Sequence, residues 1–443
     1  MRIFSVVIFF LVPLFAYDEE INVSTLDSAN IKLFLDSLLE HQSSYSLEYH
    51  LMSFSKDKRE VYYKIMDNGK SADSLILVSN KQINYQVSKQ ILKPFQNLDI
   101  GKKFFLTGKD ISLKYYFVSD IPQFQYKIFG KKDLAALIFL TTEFNSFLTG
   151  SFGMSRINNK LDIFGELHLS VENFTKNAEQ IEIFWKKDGQ ATQKINLKGF
   201  YPHFLGSDLG FSIQYYFENY NALFTKSERR IGLNTFLPIF NKTNVGYLSG
   251  NFFSTNIGKE IGYRDGRYLA VSFNSQLDTR NHRLLPLEGQ FFNLIIDGGL
   301  EEQSIYLKTN FEYQLYFNVK RAIYAKFQTK IYDLTYMNGN VPKSRYFKLG
   351  GSSSLRGFHE NSFLFPRFHI FTFELINQQK KPMQIKTFID VGTNKATSLK
   401  EYLYGYGFGF KQVNDKTIIS VDYSLSSQSS RGGKIHLKWS ARL

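Results

Sequence analysis

From residue 144 onward the chain repeats one pattern: a run of about ten residues in which apolar and polar side chains alternate, then a turn. In the run from Leu161, one face carries Leu161, Ile163, Gly165, Leu167, Leu169 and Val171, and the other Asp162, Glu166, His168, Ser170 and Glu172. Ile305, Leu307, Phe311, Tyr313, Leu315 and Phe317 likewise stand against Lys308, Asn310, Glu312 and Gln314. The last such run sets Ile435, Leu437, Trp439, Ala441 and Leu443 against Lys434, His436, Lys438, Ser440 and Arg442. A period of two is the mark of a strand with one apolar and one wet face. A soluble sandwich shows it too. The length of the runs, their recurrence and the heavy charge of the polar faces favour a transmembrane β-barrel around a wet lumen. Eleven runs lie between Phe144 and Asp333 and five follow the stretch around Arg356, which predicts about sixteen strands, an even number.

The pattern before residue 144 is different. Residues 28–41 have helical spacing (Ile31, Leu35, Leu38, Leu39), and residues 47–54 and 61–66 read as strands. A second group follows: a strand at 75–78, a helix at 86–95, a break at Gly101, a helix over 111–118, and strands at 123–129 and 134–141. The first sixteen residues carry Arg2, an apolar run from Ile3 to Phe15, and Ala16 before an acidic stretch. They predict a secretory signal cleaved near Ala16, with a short N-terminal anchor as the alternative. The domains expected are a signal peptide at 1–16, α+β regions at 17–70 and 71–143, and the barrel at 144–443.

Composition sharpens this picture. The chain is mainly β by preference, with 44 Phe and 27 Tyr against 9 Pro, a mixture suited to strands and membrane interfaces. It has no cysteine, so no disulfide, thiolate metal site or cysteine nucleophile is available. The net charge of +14 is spread along alternating strands and not gathered into an arm or stripe, so nucleic acid is not an expected partner. No H-E-x-x-H, G-x-S-x-G or P-loop pattern occurs, and neither enzyme chemistry nor a cofactor is expected.

One stretch stands apart: Phe347-Lys348-Leu349-Gly350-Gly351-Ser352-Ser353-Ser354-Leu355-Arg356-Gly357-Phe358. It places one arginine, whose planar fork suits a carboxylate, behind glycines that can take positive φ. A solvated loop arginine is the plainer reading. Leu355, Arg356, Gly357 and Phe358 resemble the (V/L)RG(F/Y) signature in the sixth extracellular loop of the BamA/TamA surface-antigen superfamily. Asp278 and Arg280 with Pro286 and Gly289 are similar to that family's D-x-R…P-x-x-G junction, and residues 387–392 to its aromatic-x-D-x-G strand. The order strand–helix–helix–strand–strand over 71–143 resembles a POTRA domain, and 17–70 a partial one.

The resemblance implies that the loop folds into the barrel and that Arg356 meets inner-wall carboxylates. Glu374 and Asp390 are the candidates, because alternation turns both inward and their apolar neighbours outward. It also implies function at the seam between first and last strands, where Gly150 and Gly153 either weaken the first or accommodate its curvature, and Trp439 and Leu443 mark the last. The implied partners are the outer-membrane bilayer, unfolded outer-membrane or autotransporter clients, and a periplasmic protein docking on the POTRA-like region. A two-partner-secretion transporter exporting a passenger through the lumen is the second reading, and a passive porin or receptor the third.

Overall fold

The computed structural model describes residues 21–22, 47–55, 60–67, 71–100, 102–129, 133–157, 160–188, 192–237, 239–352, 354–378, 382–394 and 402–443. The expected signal at 1–16 and the helix expected at 28–41 lie outside the described residues. The chain divides into two units: Met1–Val78 with Pro94–Gly108 and Pro122–Phe139, and Ser79–Lys93 with Lys109–Ile121 and Leu140–Leu443.

The first unit contains two small sheets. Strands β1 (Ile21–Asn22), β2 (Leu47–Ser55) and β3 (Glu60–Asp67) pair in the order β1-β3-β2, and β4 (Ser74–Ser79), β5 (Gln123–Phe129) and β6 (Asp133–Leu140) in the order β4-β6-β5. Two helices lie between β4 and β5 in the chain, α1 (Tyr85–Leu92) and α2 (Lys102–Lys114). The second helix was expected over 111–118; it starts at Lys102 and ends at Lys114. Gly108 lies inside this helix, although glycine ordinarily weakens one. Here a Cβ on Gly108 would stand 2.9 Å from the Phe124 ring, so the glycine permits a close helix–strand approach. Phe95, Phe104 and Phe124 pack beside it with ring centroids 5.1–5.8 Å apart, in the range of favourable aromatic pairs.

The second unit is dominated by a closed barrel of sixteen antiparallel strands. Its first eleven are β7 (Phe147–Ile157), β8 (Lys160–Glu172), β9 (Gln180–Asp188), β10 (Thr192–Tyr201), β11 (Gly210–Tyr220), β12 (Phe224–Leu237), β13 (Asn241–Ser254), β14 (Gly266–Asp278), β15 (Gly289–Glu301), β16 (Ser304–Lys320) and β17 (Ile323–Tyr336). After a long loop come β20 (Arg367–Asn377), β21 (Met383–Thr393), β22 (Leu403–Val413), β23 (Thr417–Ser426) and β24 (Ser429–Arg442). The split of eleven and five is the one the alternation predicts. Closure is what lets strands stand in lipid, because it leaves no row of unpaired backbone groups.

Alternation decides which way each residue faces. On β20, Phe371, Phe373 and Leu375 are exposed on the outer surface, while Phe368, Ile370, Thr372, Glu374 and Ile376 are buried inside. On β14, Leu269 and Val271 face out, and Tyr268, Ala270 and Ser272 face in. The outer face is the apolar band a bilayer requires, and the inner face carries the charge.

Residues 79–93 and 109–121 belong to the barrel's unit and are tied to its turns. Asn84 N donates to Lys176 O at 2.6 Å, and the Tyr116 hydroxyl donates to Ala178 O at 3.1 Å. Tyr115 meets buried His203 at 2.8 Å, and Lys93 pairs with Asp208 at 2.7 Å.

Candidate functional site

The long loop after β17 carries a hairpin that the sequence reading did not anticipate. Strand β18 (Phe347–Leu349) pairs with β19 (Phe363–Phe365), and the glycine-rich stretch forms its end. Gly350, Gly351 and Gly357 take φ of +109°, +89° and +91°, a region closed to most side chains. The Ser354 hydroxyl ties the turn together, accepting from Gly350 N at 2.8 Å. Leu355 and Phe358 are buried with Leu349, Phe368 and Ile370 in an apolar cluster against the inner wall. That cluster aims Arg356, which lies between them.

Arg356 is 7% exposed, not a solvated loop residue. Its Nε donates to Asp390 Oδ2 at 2.7 Å and its Nη2 to Asp390 Oδ1 at 2.7 Å, a fork-on-carboxylate geometry. Its backbone N donates to the same carboxylate at 3.1 Å, and Thr372, the residue opposite Asp390 across β20–β21, donates to Oδ1 at 2.8 Å. Nη1 reaches Glu374 Oε1 at 2.8 Å, and the guanidinium lies 3.5 Å over the Phe388 ring, which adds a cation–π contact. Glu374 is shared: Lys326, its partner in register on β17, approaches at 3.7 Å and Lys386 at 3.9 Å. The structure therefore brings Arg356, Asp390 and Glu374 together within one buried, paired cluster.

Two further anchors of the loop escaped the sequence reading. Arg345 sits 3.7 Å from the Tyr268 ring and 4.5 Å from the Tyr306 ring, with Glu301 at 3.3 Å. Lys348 pairs with Glu218 on β11 at 2.7 Å and lies 3.6 Å over the Tyr220 ring. The only signal available was the inward position of Glu218, Tyr268, Tyr306 and Glu301 on their strands. Alternation assigns a face, but it does not say which loop residue will arrive from across the lumen. Gly405 was missed as well: a Cβ there would lie 1.8 Å from Arg356 O, so only a bare backbone on β22 lets the loop seat.

The junction residues form a separate cluster at the β14–β15 turn. Arg280 Nε and Nη2 donate to the two Asp278 oxygens at 2.8 and 2.7 Å, and the guanidinium lies 4.7 Å over the Phe291 ring. Gly289 takes φ of +95°, and a Cβ would meet Thr279 O at 2.2 Å. Pro286 O accepts from Gln384 at 3.4 Å. These residues do not meet Arg356.

At the seam, β24 and β7 have two pairs in register, Ala441 with Leu148 and Arg442 with Phe147. The next shortest pairing in the ring, β8 with β9, has eight. Leu443 N adds a bond to Ser146 O at 3.0 Å, and the Thr149 and Ser440 hydroxyls meet. Gly150 and Gly153 lie beyond the registered seam pairs, and on the strand's other edge they stand opposite Leu167 and Phe164 of β8. Trp439 and Leu443 are exposed on the outer side.

No curated protein matches this sequence. Among solved structures, BamA from Haemophilus ducreyi lacking POTRA domains 1–3 is similar at 12% identity, covering 94% of this chain and 93% of that one, with a TM-score of 0.53. CdiB from Acinetobacter baumannii is similar at 15% identity over 94% and 81%, with a TM-score of 0.55. CdiB from Escherichia coli is similar at 11% identity over 94% and 84%, with a TM-score of 0.56. At these identities the likeness is one of fold. The family model described as the Omp85 superfamily domain matches residues 173–433, more than half of the chain, from the end of β8 into the start of β24. With its sixteen closed strands, the chain belongs to the Omp85 superfamily, whose barrels are outer-membrane proteins of protein insertion and transport.

Proposed function

We propose that this protein inserts or translocates β-strand clients at the outer membrane, and that the seam between β7 and β24 is where it does so. The observation that carries the reading is the contrast between two registered pairs at the seam and eight or more at the other pairings. A strand edge without its partner presents N–H and C=O groups on which an incoming strand adds by β-augmentation. The seam is the cheapest place in the ring to expose such an edge.

The front of the chain has a role in the same reading. Among the described residues, β4 and β5 are the outer strands of the sheet β4-β6-β5, and outer strands suit an extended client in the periplasm before it reaches the barrel. The Arg356–Asp390–Glu374 cluster does no chemistry; it holds the loop and stiffens β20 and β21.

The test is a covalent lock. The chain has no native cysteine, so Thr149→Cys with Ser440→Cys introduces a single pair across the seam, where the two hydroxyls already meet. Oxidation is expected to abolish assembly of outer-membrane clients in reconstituted membranes while the barrel stays folded by heat-modifiable migration, with reduction restoring it. A locked barrel that still assembles clients sinks the seam reading and moves passenger export through the lumen ahead.

A further inference from the structure

Ten residues, 279–288, join β14 to β15. A minimal hairpin needs far fewer. The extra length is folded inward, and its conformation is built into its own sequence. Asn281 Oδ1 accepts from Leu287 N at 3.0 Å, and His282 Nδ1 accepts from Leu284 N and Leu285 N at 3.0 and 3.1 Å. Leu287 is buried with Tyr316 and Ile376, on β16 and β20. Lys411 on β22 donates to Leu284 O at 2.6 Å, and Gln384 on β21 donates to Pro286 O. One side of the turn is thereby fixed to the wall formed by β16 and β20 to β22.

Its other side reaches β8. Arg283 Nη2 and Nη1 donate to Glu172 Oε1 and Oε2 at 2.8 and 3.1 Å, and the guanidinium lies 5.4 Å over the Tyr116 ring. The Glu172 side chain is 3% exposed. Glu172 also accepts from Asn145 N at 2.7 Å, and Ser146 Oγ accepts from Glu172 N at 2.9 Å. Asn145 and Ser146 immediately precede β7, the first seam strand. From the other seam strand, Arg442 Nη2 donates to Asn145 Oδ1 at 3.2 Å, and Leu443 N to Ser146 O.

We infer that the β14–β15 turn is a latch across the lumen, and that Arg283 is a positioning residue which, through Glu172, holds the end of the seam where β7 begins and β24 ends. The two registered seam pairs, at Phe147 and Leu148, are adjacent to Asn145 and Ser146. Their stability therefore depends on where that short segment sits, and Glu172 is the acceptor that fixes it. Without Arg283 a buried carboxylate loses its charge partner, and the cheapest relief is for Glu172 to move toward water and release Asn145. The inference rests on the seam being the part of the barrel that opens.

Amide hydrogen exchange on the full chain in lipid nanodiscs tests it. Arg283→Ala is expected to speed exchange about tenfold in peptides spanning 145–150 and 438–443, the change that goes with losing a charge-assisted contact. Peptides of β12 and β13 keep their rates, which a general loss of packing would not allow. Arg283→Lys retains charge without the fork and gives an intermediate rate. If Arg283→Ala does not fold, Arg283→Met keeps the volume of the stem while removing the charge, and the same local acceleration is expected. Unchanged seam exchange in a folded variant overturns the latch. Faster seam exchange together with full client assembly by a locked seam would keep the latch and remove the insertion reading. Unchanged exchange with assembly abolished by the lock would do the reverse.

Discussion

At the scale of single residues, Arg356 and the glycines around it carry the loop. Truncating one member of a buried ion pair leaves the others uncompensated, which costs about 3–5 kcal/mol. Arg356→Ala is therefore expected to lower the urea midpoint of the folded barrel by a loss of that order, read by heat-modifiable migration. Arg356→Lys should recover only part of it, because an ammonium cannot bridge both Asp390 oxygens while also reaching Glu374. Gly405 offers an independent check. A Cβ there would sit 1.8 Å from Arg356 O, so Gly405→Ala must push the loop away and costs about 1–3 kcal/mol as an overpacking change. Gly298 is the control, since the nearest atom to its Cβ would be Leu307 at 4.0 Å. Gly298→Ala should leave the midpoint where it is. Equal effects at 405 and 298 would mean that the close approach at Gly405 has no energetic consequence.

At the scale of elements, the barrel was readable because two solvents write it. Lipid outside and a charged lumen inside force a period of two on every strand, so sixteen strands and the inward faces of Glu374 and Asp390 follow from alternation. The hairpin β18–β19, the seats of Arg345 and Lys348 and the early start of α2 do not follow from it. Lys348 meets Glu218 on a strand far earlier in the chain, and no local spacing encodes that distance. The docking of 109–121 on the turn after β10 was equally hidden, and it carries a pH dependence. His203 Nδ1 donates to Ser207 O at 3.0 Å, which leaves Nε2 to accept from the Tyr115 hydroxyl at 2.8 Å. Burial lowers the His203 pKa from its ordinary 6.5, so the docked state favours the neutral ring. The docking is at full strength above pH 6.5 and weakens as pH falls below it, because undocked His203 takes up a proton first. Protection of the amides at Tyr115 and at 203–207, corrected for the intrinsic pH dependence of exchange, should fall as the pH drops below 6.5, and a His203→Gln variant should lose that dependence. A flat profile in the wild-type chain would contradict this account of the turn.

At the scale of the whole barrel unit, the question is which route opens at lower cost. The loop grips the ring at separated places: Lys348 on β11, Arg345 on β14, β15 and β16, and Arg356 on β20 and β21. What remains of the lumen includes a polar chamber of about 550 Å³ lined by Glu182, Arg230, Lys242 and Arg283. Clearing the lumen would break all three anchors, and hydrogen bonds to charged groups are worth about 1.5–3 kcal/mol each. Parting the seam breaks backbone bonds at two registered pairs, worth about 0.5–1.5 kcal/mol apiece, together with the Leu443–Ser146, Thr149–Ser440 and Arg442–Asn145 contacts. On the proposed reading, opening at the seam is the cheaper motion and leaves the lumen shut. The wild-type barrel is therefore expected to show no wide, steady conductance in a planar bilayer, and the Thr149–Ser440 lock should not change that. Combining Arg345→Ala, Lys348→Ala and Arg356→Ala frees the loop and should produce a large pore. A wide resting pore in the wild type would mean that the loop does not seal the lumen, and export through the barrel would then cost less than opening its side.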